Sequence, residues 1–197
     1  MEVPKREPVP ASGVLRNSGH WCEAPVMRTV LTLSALSWAL CLQASVLDAR
    51  VVGVSDGDTI TVLDAQNTSH KVRLSGIDAP EKRQPFGSSS KTHLSHWVFG
   101  RDVRVEWRKR DRYGRLVGKV WVALPECQAA TCPKTIDAGL AQLTAGMAWW
   151  YRHFAKEQPP RDRGQYEFAE QEARAKRSGL WRDDQPIAPW EWRHHKH

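Results

Sequence analysis

Short stretches of alternating apolar and polar residues, each ended by a turn signal, recur through the middle of this 197-residue chain. Alternation with a period of two is typical of strands that bury one face, and β-branched residues favour that conformation. An apolar stripe at helical spacing interrupts the series once, after the third strand. The predicted strands are 49–54, 59–63, 70–74, 102–107 and 116–122, and the predicted helix is 88–98.

Two further helices are predicted after the strands. The first covers 135–145, with Thr135 as the expected N-cap and Gly146 at its end, and the second covers 164–177. This order of elements predicts an α+β fold: a five-stranded OB-fold β-barrel with about three packed helices. The open face of such a barrel is a common place to bind a polynucleotide.

The first 45 residues have the composition of a leader and a signal peptide. Residues 30–42 are apolar or small, a length that fits a signal-peptide core better than a membrane span, and Ala44 and Ser45 offer a cleavage site. Met27 is the expected true start. We therefore expect export to the periplasm or the medium, with no stable membrane span after cleavage. The alternative is that 30–42 forms a buried core helix.

The folded domain is predicted to cover 46–182, as a monomer, and a tail rich in Pro, Trp and His follows at 183–197. Three histidines near the end of this tail offer a weak metal site, but a disordered tail is the expectation. Cys127 and Cys132 lie in a loop after the last predicted strand. Because an exported protein meets oxidising conditions, we expect a disulfide between them, with a zinc site as the alternative.

The chain is basic, with a formal net charge of +7 and a pI of about 9.5. An excess of this sign favours polyanion partners such as nucleic acid or an anionic membrane surface. Charge alone is equally compatible with a basic soluble protein that has no such partner. The motifs of the chain therefore have to decide the function.

Two acidic motifs lie in turns of the predicted barrel, at 56–59 and at 78–81. Asp58 and Asp78 supply hard oxygen ligands of the kind that Ca²⁺ or Mg²⁺ prefers. The proline after Ala79 favours an extended backbone there, so the Ala79 carbonyl is a further candidate ligand. The sequence therefore predicts a site for a hard divalent cation.

A proton acceptor and two arginines accompany these ligands. Glu81 lies just beyond them, where it is suited to accept a proton from an attacking water. Arg73 and Arg115 bring planar guanidinium groups that match phosphate oxygens in two-point contacts. Taken singly, the acidic motifs are ordinary turn or helix-start signals and the arginines ordinary surface charges. Together they favour phosphodiester hydrolysis, which needs neutralised phosphate charge and a nucleophile.

The same segments resemble those of the thermonuclease family, typified by the secreted staphylococcal nuclease, over residues 51–181. The shared elements are Asp-Gly-Asp-Thr at 56–59, Arg-x-x-x-x-Asp-x-Pro-Glu at 73–81, Tyr-Gly-Arg at 113–115 and Gly-Met-Ala at 146–148. The resemblance implies an endonuclease that cleaves DNA and RNA at the 5′-oxygen–phosphorus bond and leaves 3′-phosphate products.

The resemblance also implies a role for each residue of these motifs. The catalytic set is Arg73, Glu81 and Arg115, the Ca²⁺ ligands are Asp58, Asp78 and the carbonyl of Ala79, and the residues beside the ligands are Asp56 and Thr59. Ca²⁺ comes from the family, because the ligand types alone also allow Mg²⁺. The family often has Thr at position 79, but its backbone carbonyl is the ligand, so Ala79 preserves it.

Aromatic residues near these motifs are candidates for contact with the substrate. Tyr113 is expected to touch a phosphate or to stack on a base, Arg112 to follow the backbone, and Trp150 or Tyr151 to stack on a base. The alternative for the tryptophans is that they fill the core. Two rival functions remain for the whole chain: a non-catalytic OB-fold module that only holds nucleic acid, and an adhesion or envelope protein.

Overall fold

The computed structural model describes residues 45–127, 129 and 131–194, which lie within one compact unit, Cys41–His197. The predicted leader and signal peptide lies outside the described residues, apart from Ser45. Among the residues that the structure describes, no helix has the length and apolar character needed to cross a bilayer.

The strands follow the predicted series. They are β1 (Ser45–Val54), β2 (Thr59–Leu63), β3 (Ser69–Leu74), β4 (Ile77–Asp78), β5 (Asp102–Arg110), β6 (Leu116–Val122), β7 (Ile136–Asp137) and β8 (Trp149–Trp150). β1, β2 and β3 form an antiparallel meander, and the hairpin of β5 and β6 pairs with β1. Parallel pairing of β3 with β6 closes the barrel and sets Arg73 opposite Val117. The predicted five-stranded OB-fold barrel is therefore confirmed.

The core fills the barrel with the apolar side chains of the alternating strands. Ile60, Val62 and Val72 are fully buried, and burial of one such side chain stabilises the fold by about 1.5–3 kcal/mol. The helices are α1 (Gly87–Val98), α2 (Ala138–Thr144), α3 (Pro160–Ala175) and the short α4 (Pro189–Trp192). Leu94 and Val98 of α1 are fully buried in the same core. About three packed helices accompany the barrel, as predicted.

The predicted start of the second helix at Thr135 is wrong. Residues Ile136–Asp137 instead pair with β6 as β7, and α2 begins only at Ala138. Asp137 is the N-cap, since its Oδ1 accepts hydrogen bonds from the backbone N–H groups of Gly139 (2.9 Å) and Leu140 (3.2 Å). A carboxylate satisfies these free backbone donors well, so Asp137 caps the helix while Ile136 and Asp137 pair with β6.

The disorder expected for the closing residues 190–197 is also wrong for residues 190–194. Ala188 is buried in a small second cluster with Trp149, Leu180 and Trp181, and Trp190 packs against that cluster. The Gln84 side-chain amide donates to the carbonyl of Ile187 at 2.6 Å. Apolar burial and this hydrogen bond order the segment, while residues 195–197 lie outside the described part of the chain.

The loop after β6 contains the expected disulfide. Cys127 and Cys132 are joined, with their Cα atoms 5.9 Å apart. The guanidinium of Arg101 donates to the carbonyls of Leu124 (2.8 Å) and Cys127 (3.4 Å), so the same loop is also held from the end of α1.

Candidate active site

A cleft of about 800 Å³ runs along the barrel between the β5–β6 hairpin and the turns that follow β1 and β3. Residues of the motifs at 56–59, 73–81 and 113–115 line this cleft, and so does Arg193 of the C-terminal segment, whereas the motif at 146–148 does not. Equal numbers of acidic and basic side chains line the cleft. The cleft therefore has no excess of positive charge, although the chain as a whole carries +7.

Asp58 is buried at the start of β2 and is fixed on both carboxylate oxygens. The Thr59 hydroxyl donates to Oδ1 at 2.9 Å, and the backbone N–H of Ala79 donates to Oδ2 at 2.9 Å. Gly57 makes this turn possible, because a Cβ atom there would lie 1.9 Å from Ser90 Oγ and 2.7 Å from Ala79 Cβ. The turn therefore brings the two acidic motifs into direct contact.

Asp78 and Asp58 share a guanidinium. Arg73 places Nη1 2.6 Å from Asp58 Oδ2 and Nη2 2.8 Å from Asp78 Oδ1, and it also donates to the carbonyl of Ile77 at 3.1 Å. Burial raises the pKa of Asp78 above its usual range, against the opposing effects of Arg193 and Arg73. Burial opposes the charged form of Arg73, but the two aspartates outweigh it and raise its pKa.

Asp56 supports the turn rather than the centre of the cleft. Its Oδ1 accepts a hydrogen bond from the backbone N–H of Asp58 at 3.1 Å. Burial, followed by the nearby charge of Asp58, raises the pKa of Asp56 to about 6. Asp56 and Thr59 both lie next to Asp58 and contact it, and the supporting roles assigned to them stay predictions.

Glu81 lies at the rim of the cleft with its side chain 40% exposed. Its backbone N–H donates to Oε1 of Gln84 at 3.0 Å, so the loop after Pro80 is held in place while the carboxylate faces solvent. Its Oε1 pairs with Arg193 at 2.7 Å. A carboxylate that is anchored through its backbone and open to water is suited to accept a proton.

Arg115 enters the cleft from the β5–β6 hairpin. Asp111 shapes the turn by accepting the backbone N–H groups of Tyr113 (2.9 Å) and Arg115 (3.0 Å), and its Oδ2 accepts from Arg115 Nε at 2.7 Å. Burial alone would raise the pKa of Asp111, but the hydrogen bonds from Arg115 outweigh it and lower that pKa. Arg115 Nη1 also donates to Thr59 Oγ1 at 3.4 Å, which links the hairpin to the acidic turn.

The aromatic candidates divide into exposed and buried residues. Tyr113 is 67% exposed at the tip of the hairpin, with the guanidinium of Arg112 4.9 Å from its ring centroid. Tyr151 lines the cleft, so both tyrosines are accessible to a ligand. Trp150 is only 6% exposed and donates from Nε1 to Gln158 at 2.9 Å. The prediction that Trp150 stacks on substrate is therefore wrong, because its ring belongs to the core.

The oxygen atoms of Asp58, Asp78 and Ala79 are of the chemical type that binds hard divalent cations. Asp58 and Asp78 present buried carboxylates, and Ala79 brings its backbone next to Asp58. Within the described residues, no group of three or more His, Cys, Asp or Glu side chains is gathered as a metal site. The predicted ligand set, the carboxylates of Asp58 and Asp78 with the carbonyl of Ala79, therefore stays a prediction.

Two residues of the site escaped the sequence interpretation. Arg193 contacts both Asp78 and Glu81, and Gln84 holds Glu81 and the C-terminal segment together. Arg193 is 112 positions from Glu81 along the chain. The signal available in the sequence was the tryptophan-rich segment before Arg193, which has the composition of a packed element rather than of a disordered tail.

Known proteins resemble the chain over most of its length. Residues 71–183 match the sequence profile of the family described as staphylococcal nuclease homologue. Protein ParB of Escherichia coli is 40% identical over 179 residues, which make up 90% of this chain and 93% of that protein. Micrococcal nuclease of Shigella flexneri is 42% identical over 166 residues, 83% of this chain and 87% of that protein.

A plant protein is similar over a smaller share of its own length. The staphylococcal-like nuclease CAN1 of Arabidopsis thaliana is 36% identical over 126 residues, 64% of this chain but 34% of that protein. The profile covers more than half of the chain, and the two bacterial relatives match it nearly from end to end. The closed barrel and the paired acidic motifs agree with that match, and the chain belongs to the family of staphylococcal nuclease homologues.

Proposed function

We propose that this protein is a nuclease that hydrolyses the phosphodiester bonds of DNA and RNA with the help of a divalent cation. One observation supports this most strongly: a single guanidinium, Arg73, joins the buried carboxylates of Asp58 and Asp78 in a cleft that also contains Glu81 and Arg115. Binding alone would need the arginines but not three carboxylates, which repel a polyanion. The relatives named as nucleases support the same reaction.

Hydrolysis assigns a separate task to each of these groups. Glu81 takes a proton from a water molecule that attacks phosphorus, directly or by orienting that water, while the bond from phosphorus to the 5′-oxygen breaks and the leaving oxygen takes a proton from water. Arg73 and Arg115 present N–H donors to the phosphate oxygens and stabilise the negative charge that grows on them. The exposed Tyr113 offers a ring face to a neighbouring base, and Tyr151, whose ring stacks on Trp190, lines the cleft.

The cation is proposed to be Ca²⁺, held by the carboxylates of Asp58 and Asp78 and by the carbonyl of Ala79. When bound, it supplies positive charge next to a phosphate oxygen. Thr59 and the N–H of Ala79 keep the Asp58 carboxylate in one orientation for this purpose. Hard oxygen ligands also bind Mg²⁺, so the activity should be measured with each of the two ions.

The central test measures cleavage of single-stranded DNA and of RNA by the protein with Ca²⁺, with Mg²⁺ or with a chelator. Glu81→Gln is expected to lower kcat by about 10²–10⁴-fold, which is the usual contribution of a general base. Glu167→Gln is the matched control, because Glu167 is exposed on α3 and does not line the cleft. Full activity in the chelator, or in Glu81→Gln, would refute the mechanism.

The proposed products are oligonucleotides with a 3′-phosphate, and mass spectrometry of the ends distinguishes them from 5′-phosphate products. Export is proposed on the signal-like segment at 30–42 and is supported by the disulfide in the loop after β6. N-terminal sequencing of protein from the periplasm or medium should find cleavage near Ala44 and Ser45. Nucleic-acid binding without any cleavage would favour a non-catalytic OB-fold module instead.

A further inference from the structure

The C-terminal segment is fixed at the rim of the cleft by packing and by hydrogen bonds. The Trp190 ring stacks on Tyr151, with centroids 5.5 Å apart and an interplanar angle of 21°, and meets Trp149 edge-on at 5.5 Å. Gln84 donates to the carbonyl of Ile187 while its own carbonyl accepts from the backbone of Glu81. The backbone of this segment is therefore part of the same rigid surroundings as Glu81.

This packing delivers one guanidinium into the cleft. Arg193, one residue after α4, places Nη1 2.7 Å from Glu81 Oε1 and Nη2 2.8 Å from Asp78 Oδ2. Asp78 is a proposed ligand of the cation, and Glu81 is the proposed proton acceptor. The Arg193 side chain is 42% exposed, whereas that of Arg73 is 15% exposed and that of Arg115 is 25% exposed. Of Arg73, Arg115 and Arg193, Arg193 therefore has the most accessible side chain.

The two other arginines are held more tightly by the fold. Arg73 is fixed by two aspartates and by the carbonyl of Ile77, and Arg115 is fixed by the turn at Asp111. Arg193 has a long side chain on an anchored backbone, and its terminal nitrogens meet carboxylates at the open side of the cleft. A phosphate that enters beside Glu81 would contact the Arg193 guanidinium first. Its oxygens can accept hydrogen bonds from the same two nitrogens that now bind the carboxylates.

We propose that Arg193 is a third phosphate-binding arginine of the active site, which exchanges its carboxylate partners for a phosphate group of the nucleic acid when substrate binds. Trp190 is the residue that positions it. This inference rests on the proposed nuclease function. It concerns the contribution of Arg193 to substrate binding, so that Arg193→Ala is expected to raise KM and to leave kcat within a few-fold of the wild type.

The test measures kcat and KM on a single-stranded DNA oligonucleotide for the full chain and for Arg193→Ala, Arg193→Lys and Arg182→Ala. Loss of a charged two-point contact predicts a rise in KM of about tenfold for Arg193→Ala. Arg193→Lys keeps the charge but not the fork, so an intermediate KM is expected. Arg182→Ala removes the same charge from an exposed residue outside the cleft lining and should change neither constant.

A second measurement does not depend on turnover. Oligonucleotide affinity is measured by fluorescence anisotropy at several salt concentrations, with Glu81→Gln in every protein to prevent cleavage. Loss of one phosphate contact should reduce the slope of log K against log salt by about 0.7 for Arg193→Ala, and leave it unchanged for Arg182→Ala. Thermal unfolding of each variant checks that the fold is kept, and Arg193→Ala should remain folded because Arg73 still pairs with Asp78 when Arg193 is removed.

The outcomes separate this inference from the proposed function. If the wild type neither cleaves nor binds nucleic acid, the proposed function fails. If the wild type cleaves but Arg193→Ala leaves KM and the salt slope unchanged, only the role of Arg193 fails. If Arg193→Ala instead lowers KM or tightens binding, Arg193 is an inhibitory cover on Asp78 and Glu81, and the inference is overturned.

Discussion

Glu170 offers a direct test of how much a buried carboxylate on α3 contributes to the stability of the protein behind the active site. Its side chain on α3 is fully buried. Oε1 accepts the backbone N–H of Trp150 at 3.1 Å, and Oε2 meets Arg152 at 2.6 Å. Because β8 pairs with β4 and aligns Trp149 with Asp78, this carboxylate holds the strand that supports Asp78 from behind.

Glu170→Gln removes the charge and nearly preserves the shape. The amide oxygen can still accept from Trp150, so the loss falls on the ion pairs with Arg152 and with Arg174, which lies at 3.4 Å. Breaking a fully buried pair costs 3–5 kcal/mol, but these arginines are 48% and 43% exposed and regain water. We therefore expect a loss of about 2–3 kcal/mol in the free energy of unfolding, or roughly 4–12 °C in Tm.

Urea denaturation and thermal unfolding of Glu170→Gln measure this loss. Glu172→Gln is the matched control, because Glu172 lies two residues further along α3 and has a 40% exposed side chain paired with Lys176 at 2.7 Å. An exposed pair of this kind contributes roughly 0.3–0.5 kcal/mol. Equal destabilisation by the two substitutions would refute the argument from burial. Nuclease activity well below Tm should stay within a few-fold, since Arg73 still holds Asp78.

Three further predictions concern other parts of the fold. Gly57→Ala should lower stability by about 1–3 kcal/mol and activity by at least tenfold, because the new Cβ meets Ser90 and displaces the acidic turn; unchanged denaturation and kinetics would contradict this. Replacing Cys127 and Cys132 by Ser should lower the free energy of unfolding by about 2 kcal/mol, and a reducing agent should have the same effect on the wild type only. Burial, and then the charge of Asp137, raise the pKa of Tyr166 well above its usual value, so its contribution to stability is intact below about pH 10 and is lost as pH rises further. Urea midpoints between pH 8 and 11 should therefore fall less steeply in Tyr166→Phe than in the wild type.

Local signals in the sequence were sufficient for the barrel. β2 and β6 have the predicted bounds, because alternation and turn residues act within a few positions of each other. The second helix was placed three residues too early because Ile136–Asp137 are taken by pairing with β6. Such pairing depends on a strand formed elsewhere in the chain, and no local propensity at Thr135 reveals it.

The acidic motifs were predictable for the same reason, whereas the neighbours that act on them were not. Asp58 and Asp78 could be identified from their turns, but burial of Trp150 depends on its contacts with β4 and α3. Arg193 reaches the cleft because Trp190 stacks on Tyr151 and Gln84 holds the carbonyl of Ile187. Residue type and spacing carry no information about contacts between such distant segments.

The charge balance of the cleft has a consequence for catalysis. The two arginines that the fold holds most tightly already have carboxylate partners: Arg73 holds Asp58 and Asp78, and Arg115 holds Asp111. A phosphate in its ground state therefore replaces one ion pair by another, and the net gain in binding free energy is small. Charge that grows on the phosphate during attack strengthens the new pairs but not the old ones. Contacts of this kind favour the transition state over the bound substrate, which is the condition for raising kcat rather than only lowering KM.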